Sequence, residues 1–136
     1  MTERIVFFGV GKMGLPMSQH LHRAGHVVVI TDPDRQRLQA AQDAGLAVVA
    51  DVAQALQDAT LVFSSLPHDA ALLDVAQWLV KQAHPNLAWV DTSTVSLQAS
   101  TQAAALVTAR GVSHLRVTVS GNNHMAQAAQ LTVMAS

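Results

Sequence analysis

Short apolar runs alternate with longer helical patterns along this chain. The apolar runs are continuous rather than alternating, as in VVVI at 27–30, which is typical of strands buried on both faces of a parallel sheet. The stretches between them are rich in Ala, Gln and Leu and have helical spacing. The pattern predicts strands at 4–10, 27–31, 46–49, 60–65, 87–91, 112–117 and 131–135, and helices at 13–24, 34–44, 51–58, 69–83, 97–110 and near 123–129.

This alternation of strands and helices predicts an α/β fold. Successive βαβ units favour a Rossmann-type, doubly wound and mostly parallel sheet with helices on both faces. Three of the predicted helices end at a glycine that a strand follows (Gly25, Gly45 and Gly111), as in left-handed helix caps. No linker, low-complexity tract or charged run divides the sequence, so we predict one domain over residues 1–136.

Composition excludes several classes of function. Half of the 136 residues are apolar, 12% are charged and the net charge is −1, so no strong field would attract nucleic acid or an acidic membrane. No apolar run approaches the length of a membrane span, and we expect a cytoplasmic protein. There are no cysteines. His20, His22 and His26 lie close together, but positions two apart on a helix face different directions, so we predict no metal site.

The first strand leads into a glycine-rich turn. Gly9 allows a sharp turn, Gly11 allows close approach of a pyrophosphate, and Gly14 allows tight packing of the following helix. The N-terminus of that helix favours anions. A second strand then ends at Asp32, close to the spacing of an acid that binds the adenosine ribose. Strand, turn, helix, strand and acid together predict a dinucleotide site; an ordinary βα turn would explain only one of the glycines.

Three later loops are polar and follow predicted strands. They read SSLPH at 64–68, DTSTVS at 91–96 and TVSGNN at 118–123. Because the carboxyl ends of parallel strands form one edge, we expect these loops to share a cleft with the glycine turn. Within them, Asp69 and Ser96 can also be read as helix caps.

At these segments the chain resembles the 3-hydroxyisobutyrate dehydrogenase-like β-hydroxyacid dehydrogenases, which are related to 6-phosphogluconate dehydrogenase. The matching pieces are IVFFGVGKMGLPMSQHLHRAGH, LVFSSLP, WVDTSTVS, VTVSGN and LTVMAS, in order over the whole chain. The resemblance implies an NAD(P)-dependent oxidoreductase that transfers a hydride between a nicotinamide cofactor and a small 3-hydroxy acid, its substrate.

The resemblance also implies roles for individual residues. Leu66 and Pro67 would line the path of the cofactor, and Thr94 would lie near the nicotinamide ribose. A substrate carboxylate would be held by Ser120, Gly121 and Asn122. The pyrophosphate turn would consist of Gly9, Val10, Gly11, Lys12, Met13 and Gly14.

The chain departs from the family pattern in two ways. Around the sixth strand, Arg116, Thr118 and Asn122 replace an acid, a proline and a glycine. The family's catalytic lysine lies on a later helical domain, and neither Lys12 nor Lys81 matches it. We therefore expect the nucleotide-binding domain to be incomplete at its C-terminus, the helical catalytic domain to be absent, and this chain alone to be inactive. An exposed sheet edge would favour a homo-oligomer.

Asp32 also bears on the choice of cofactor. A carboxylate at this position accepts ribose hydroxyls and repels a 2′-phosphate, which favours NAD over NADP, although Arg35 and Arg37 could offset its charge. Two further interpretations stay open: a stand-alone nucleotide-binding or regulatory module without turnover, and the cofactor domain of an imine- or pyrroline-type reductase.

Overall fold

The computed structural model describes residues 2–82, 84, 86–120 and 132–135. Within them, strands and helices alternate as the sequence pattern predicts, and most boundaries lie within two residues of the predicted ones. The elements are β1 (Arg4–Phe8), α1 (Gly14–Arg23), β2 (Val27–Thr31), α2 (Arg35–Asp43), β3 (Ala47–Val48), α3 (Val52–Asp58), β4 (Leu61–Ser64), α4 (Asp69–Gln82), β5 (Ala88–Asp91), α5 (Leu97–Thr108), β6 (Ser113–Ser120) and β7 (Thr132–Ala135). The predicted helix near 123–129 lies outside the described residues.

The strands form one sheet in the order β3-β2-β1-β4-β5-β6-β7. The first six run parallel, and β7 pairs antiparallel with β6. From β1 the chain moves outward to β2 and β3, then returns to β4 on the other side of β1 and continues to β6. The order therefore reverses between β1 and β4, where ligands bind in doubly wound sheets.

Each face of the sheet has its own hydrophobic core. In β1, Ile5 and Phe7 point into a cluster with residues of α1 and α2, whereas Val6 points into a cluster with α3, α4 and α5. Because successive strand side chains alternate between faces, one apolar strand serves both layers. The predicted α/β fold, doubly wound with helices on both faces, is confirmed.

Helix starts also follow the sequence. Asp34 accepts the N–H of Gln36, Asp51 accepts that of Gln54, and Ser96 accepts that of Ala99, so each satisfies an orphan donor of its helix. In the described residues, no helix has the length and apolar character that crossing a membrane requires.

Candidate functional site

In the turn after β1, two glycines lie in close contact with backbone carbonyl groups. Gly9 has a φ of +94°, a left-handed conformation that favours glycine, and its N–H donates to the Thr31 carbonyl at 3.0 Å. A Cβ at Gly9 would collide with the Ser65 carbonyl oxygen, and one at Gly14 with the Gly9 carbonyl oxygen. Both glycines are therefore required by the packing of the turn itself.

Gly11 differs, because the atoms nearest to it belong to a flexible side chain rather than to the backbone. Among the described residues, a Cβ there would lie 3.8–4.0 Å from the Arg37 guanidinium, which is ordinary contact distance. Met13 precedes α1 without capping it through its side chain, and the first turn of α1 has no acidic residue. An uncapped helix N-terminus behind a glycine turn is a favourable place for a phosphate. Val10 is buried and Lys12 is exposed in this turn.

Asp32 connects the end of β2 to the glycine turn. Its Oδ2 accepts the Val10 N–H at 3.0 Å, and its Oδ1 accepts the Asp34 N–H at 2.8 Å. The Arg37 Nη1 lies 3.8 Å from Oδ2, and the Asp32 side chain is only 1% exposed. The acid predicted from spacing is thus also a structural element of the turn. From the sequence, Arg37 was expected only to offset the charge of Asp32; in the structure its side chain covers the carboxylate.

A cleft of about 350 Å³ opens between the glycine turn and the loop after β4. It brings together four of the predicted site residues, from three strand ends, as the shared sheet edge requires. Thr94 is exposed on the next loop and is not among the lining residues. The cleft is lined by Phe8, Gly9, Thr31, Asp32, Pro33, Arg37, Leu66, Pro67, His68, Ala71, Asp74 and Val75.

The loops after β4 and β5 are bonded to each other. Ser93 Oγ accepts the Leu66 N–H at 2.7 Å, and both the N–H and the hydroxyl of Thr92 donate to the Ser64 carbonyl, at 2.8 and 2.7 Å. Ser93 itself donates to Asp91. Asp91 and Ser93 were not predicted as site residues; the signal that could have found Asp91 is an acid at the end of an apolar strand.

The starts of α4 and α5 are also connected. Ser96 caps α5, as one reading of the sequence expects, but Asp69 does not cap α4. Instead its carboxylate accepts the Ser96 N–H at 2.9 Å and the Ser96 hydroxyl at 2.7 Å. These two bonds hold the pKa of Asp69 below its usual value. His68 Nδ1 accepts the Ala71 N–H in the first turn of α4.

The predicted substrate loop is described only at its beginning. Ser120 ends β6 and pairs with Thr132 of β7, while Gly121 and Asn122 lie outside the described residues. Earlier on β6, the Arg116 Nη2 donates to the Val95 carbonyl at 3.3 Å. The role of this loop therefore stays a prediction.

His114, also on β6, packs edge-on against the Trp89 ring at 5.0 Å. Burial lowers the pKa of His114, and the nearby Asp91 carboxylate partly opposes that shift. Within the described part of the chain, His114 Nε2 and Asp91 Oδ2 are buried without a hydrogen-bond partner. No group of three potential metal-binding side chains occurs among those residues.

Together these features define a dinucleotide-binding domain. They are a doubly wound sheet, a glycine turn at the switch point between β1 and β4 where the strand order reverses, an uncapped helix, and an acid at the end of the next strand. Residues 4–136 match the profile described as the NAD binding domain of 6-phosphogluconate dehydrogenase. The chain belongs to this family.

Individual relatives agree with the resemblance seen in the sequence. The chain is 34% identical over 130 residues to a probable 3-hydroxyisobutyrate dehydrogenase of Mycobacterium tuberculosis, covering 96% of this chain and 44% of that protein. A solved structure of the M. tuberculosis 3-hydroxyisobutyrate dehydrogenase with L-serine has a TM-score of 0.94 at 33% identity, covering 100% of this chain and 47% of that one. The chain thus spans about half the length of these relatives.

The fold is shared more widely. A Streptomyces aurantiacus imine reductase has a TM-score of 0.84 at 21% identity and covers 99% of this chain. At that identity the likeness shows the common fold and does not extend to the reaction.

Proposed function

We propose that this chain is the NAD-binding domain of an enzyme that transfers a hydride between the nicotinamide ring and a small 3-hydroxy acid. The observation that carries the proposal is the cleft at the switch point. There, the glycine turn, the Asp32 carboxylate and the Leu66–Pro67 segment meet in one space. The likeness to 3-hydroxyisobutyrate dehydrogenases supports the reaction class.

The residues present fit a dinucleotide. The backbone at Gly11 and the uncapped start of α1 would hold the pyrophosphate, with Val10, Lys12 and Met13 forming the rest of the turn. Leu66 and Pro67 would pack on the cofactor beyond the pyrophosphate, and Thr94 would reach the nicotinamide ribose. When bound, the cofactor supplies the hydride chemistry; this chain's residues bind it, orient it and exclude water.

NAD is the proposed cofactor, with NADP binding more weakly. The Asp32 carboxylate would accept the ribose hydroxyls and repel a 2′-phosphate. Both of its oxygens already accept a backbone N–H, but a carboxylate has about four acceptor positions. Arg37 stands over it at 3.8 Å. Its half-exposed side chain would have to move aside to admit the ribose.

The substrate side of the proposal rests on the third polar loop. Ser120, Gly121 and Asn122 would hold the substrate carboxylate, and neither Lys12 nor Lys81 occupies the position of the family's catalytic lysine. We therefore propose that the chain binds cofactor but does not turn over 3-hydroxy acids alone. A spectrophotometric assay with NAD and 3-hydroxyisobutyrate or L-serine should show no turnover. Clear activity would refute the proposal that this chain needs a catalytic lysine it does not contain.

A cofactor titration tests the proposal directly. Calorimetric titration of the chain with NADH and NADPH should give saturable binding, tighter for NADH. The D32N variant keeps the shape of the side chain and removes its charge, so it should reduce the ratio of the NADPH to the NADH dissociation constant. Absence of binding would refute the cofactor proposal, and tighter NADPH binding would refute the preference for NAD.

A further inference from the structure

Asp91, the last residue of β5, has a fully buried carboxylate that accepts several bonds on one oxygen. Its Oδ1 accepts the hydroxyls of Ser64 and Ser93, both at 2.6 Å, and the Ser93 N–H at 3.2 Å. Its Oδ2 has no hydrogen-bond partner among the described residues. A buried charge is costly unless hydrogen bonds compensate it, so this concentration of donors needs an explanation.

Two series of hydrogen bonds lead to Asp91, and in each the donors point toward its carboxylate. The Trp89 indole N–H donates to Ser64 Oγ at 2.8 Å, and the Ser64 hydroxyl donates to Asp91. On the other side, the Leu66 N–H donates to Ser93 Oγ at 2.7 Å, and the Ser93 hydroxyl donates to Asp91. Each hydroxyl accepts from an N–H and must therefore donate onward, which requires an acceptor where Asp91 stands.

The second series of hydrogen bonds begins at Leu66, a residue of the cleft. Leu66 lines the cleft, and its Cδ2 lies 3.4 Å from where a Gly9 Cβ would be. The preceding residue, Ser65, is packed against Gly9. The position of the Leu66 backbone therefore sets the width of the cleft beside the glycine turn. Ser93 fixes that backbone, and Asp91 fixes Ser93.

We infer that Asp91 is a positioning residue for the cofactor: acting through Ser93, it holds the Leu66–Pro67 segment at the distance from the glycine turn that cofactor binding requires. The inference rests on the proposed binding of a dinucleotide in this cleft and adds a residue that lies outside it. Charge-assisted bonds are roughly twice as strong as neutral ones, so the carboxylate holds the two hydroxyls more firmly than an amide would.

Three variants test this inference. S93A removes the hydroxyl between Leu66 and Asp91, and D91A removes the acceptor. Each should weaken NADH binding about tenfold, as loss of one well-formed hydrogen bond does. D91N keeps an acceptor oxygen without the charge and should restore part of the affinity. The double variant D91A/S93A should bind no more than about twofold more weakly than D91A, because both residues act through one bond.

The control is V107A, which removes buried methyl groups near the C-terminal end of α5, just before β6 begins, and so lies at the opposite edge of the sheet from the two loops. It should lower the Tm but leave NADH affinity unchanged. A second readout needs no ligand: hydrogen exchange at the Leu66 amide should accelerate in S93A and D91A, relative to neighbouring amides, and stay unchanged in V107A. If D91A does not fold, S93A alone still provides both measurements.

The outcomes separate the two proposals. If the unmodified chain does not bind NADH, the proposed function fails and this inference fails with it. If the unmodified chain binds and the variants bind equally well, or the losses in the double variant simply multiply to about a hundredfold, only the inference fails. Unchanged Leu66 protection in S93A also overturns it, whatever the affinities show.

Discussion

Replacing Gly9 by alanine should damage the site far more than the same change at another positive-φ glycine. Gly9 and Gly25 have nearly equal φ values, +94° and +97°. A Cβ at Gly25 would meet nothing within 4 Å, whereas one at Gly9 would collide with the Ser65 carbonyl oxygen. G25A therefore measures backbone strain alone. G9A measures the same strain plus the cost of separating the glycine turn from the Ser65 loop.

The magnitudes follow from these contacts. A left-handed conformation costs an alanine about 1–2 kcal/mol, and the smaller entropy of the unfolded chain returns about 0.4–1 kcal/mol. G25A should thus lose about 1 kcal/mol of unfolding free energy. At Gly9 the collision with backbone adds about 1–3 kcal/mol, as overpacking does, for a total of about 3 kcal/mol. In a chain of 136 residues, 1 kcal/mol corresponds to about 3–4 °C in Tm.

The assay combines thermal unfolding with NADH titration. G25A should melt about 3–4 °C below the unmodified chain and bind NADH normally. G9A should melt about 10 °C below it and bind NADH at least tenfold more weakly, since the loop at Ser65 must move away from the turn. If G9A is as mild as G25A in both measurements, the contact between the turn and the Ser65 loop is not needed for stability or for NADH binding.

Three further changes probe other contacts. D32A leaves the N–H groups of Val10 and Asp34 without their acceptor and should cost at least about 3 kcal/mol of unfolding free energy, because bonds to charged groups contribute about 1.5–3 kcal/mol each. S96A removes the cap of α5 and should cost about 1 kcal/mol. Because burial lowers the pKa of His114 below its ordinary 6.5, stability is fully present above pH 6.5 and falls as the pH drops toward the lowered pKa. H114F should therefore lose less Tm than the unmodified chain between pH 7.5 and 5.5.

Denaturant unfolding and thermal scans decide these three predictions. S113A, an exposed serine on β6, is the control for S96A and should leave stability unchanged. A D32A chain as stable as the original would mean that the Val10 and Asp34 N–H groups find other acceptors. For His114, the slope of Tm against pH is the test: equal slopes in H114F and the unmodified chain would exclude it as a source of acid sensitivity.

Local pattern was sufficient to predict the α/β architecture. Continuous apolar runs such as 27–30 fit strands covered on both faces, and the caps at Asp51 and Ser96 are local interactions within a few residues. The spacing between the glycine turn and Asp32 was also local, since one βαβ unit contains both. The β3–β2–β1 half of the sheet follows from these elements almost without tertiary information.

Contacts between distant residues could not be predicted in the same way. The carbonyl that excludes a side chain at Gly9 belongs to Ser65, 56 residues later, and meets it only because β4 lies beside β1. The bond between Asp69 and Ser96 likewise required α4 and α5 to start side by side. A capping pattern in the sequence cannot distinguish a carboxylate that binds its own helix from one that binds the next.

The sequence by itself determined where the chain turns, which faces are apolar and that a glycine turn precedes a helix, because these depend on side-chain type and local backbone freedom. Only the tertiary structure decided that Arg37 covers Asp32, that Leu66 faces the glycine turn and that Asp91 holds the loop between them. Those arrangements depend on strand order and register, which bring together groups that share no sequence neighbourhood. Where such a group is buried, as the Asp91 carboxylate is, hydrogen bonds must compensate for its loss of water.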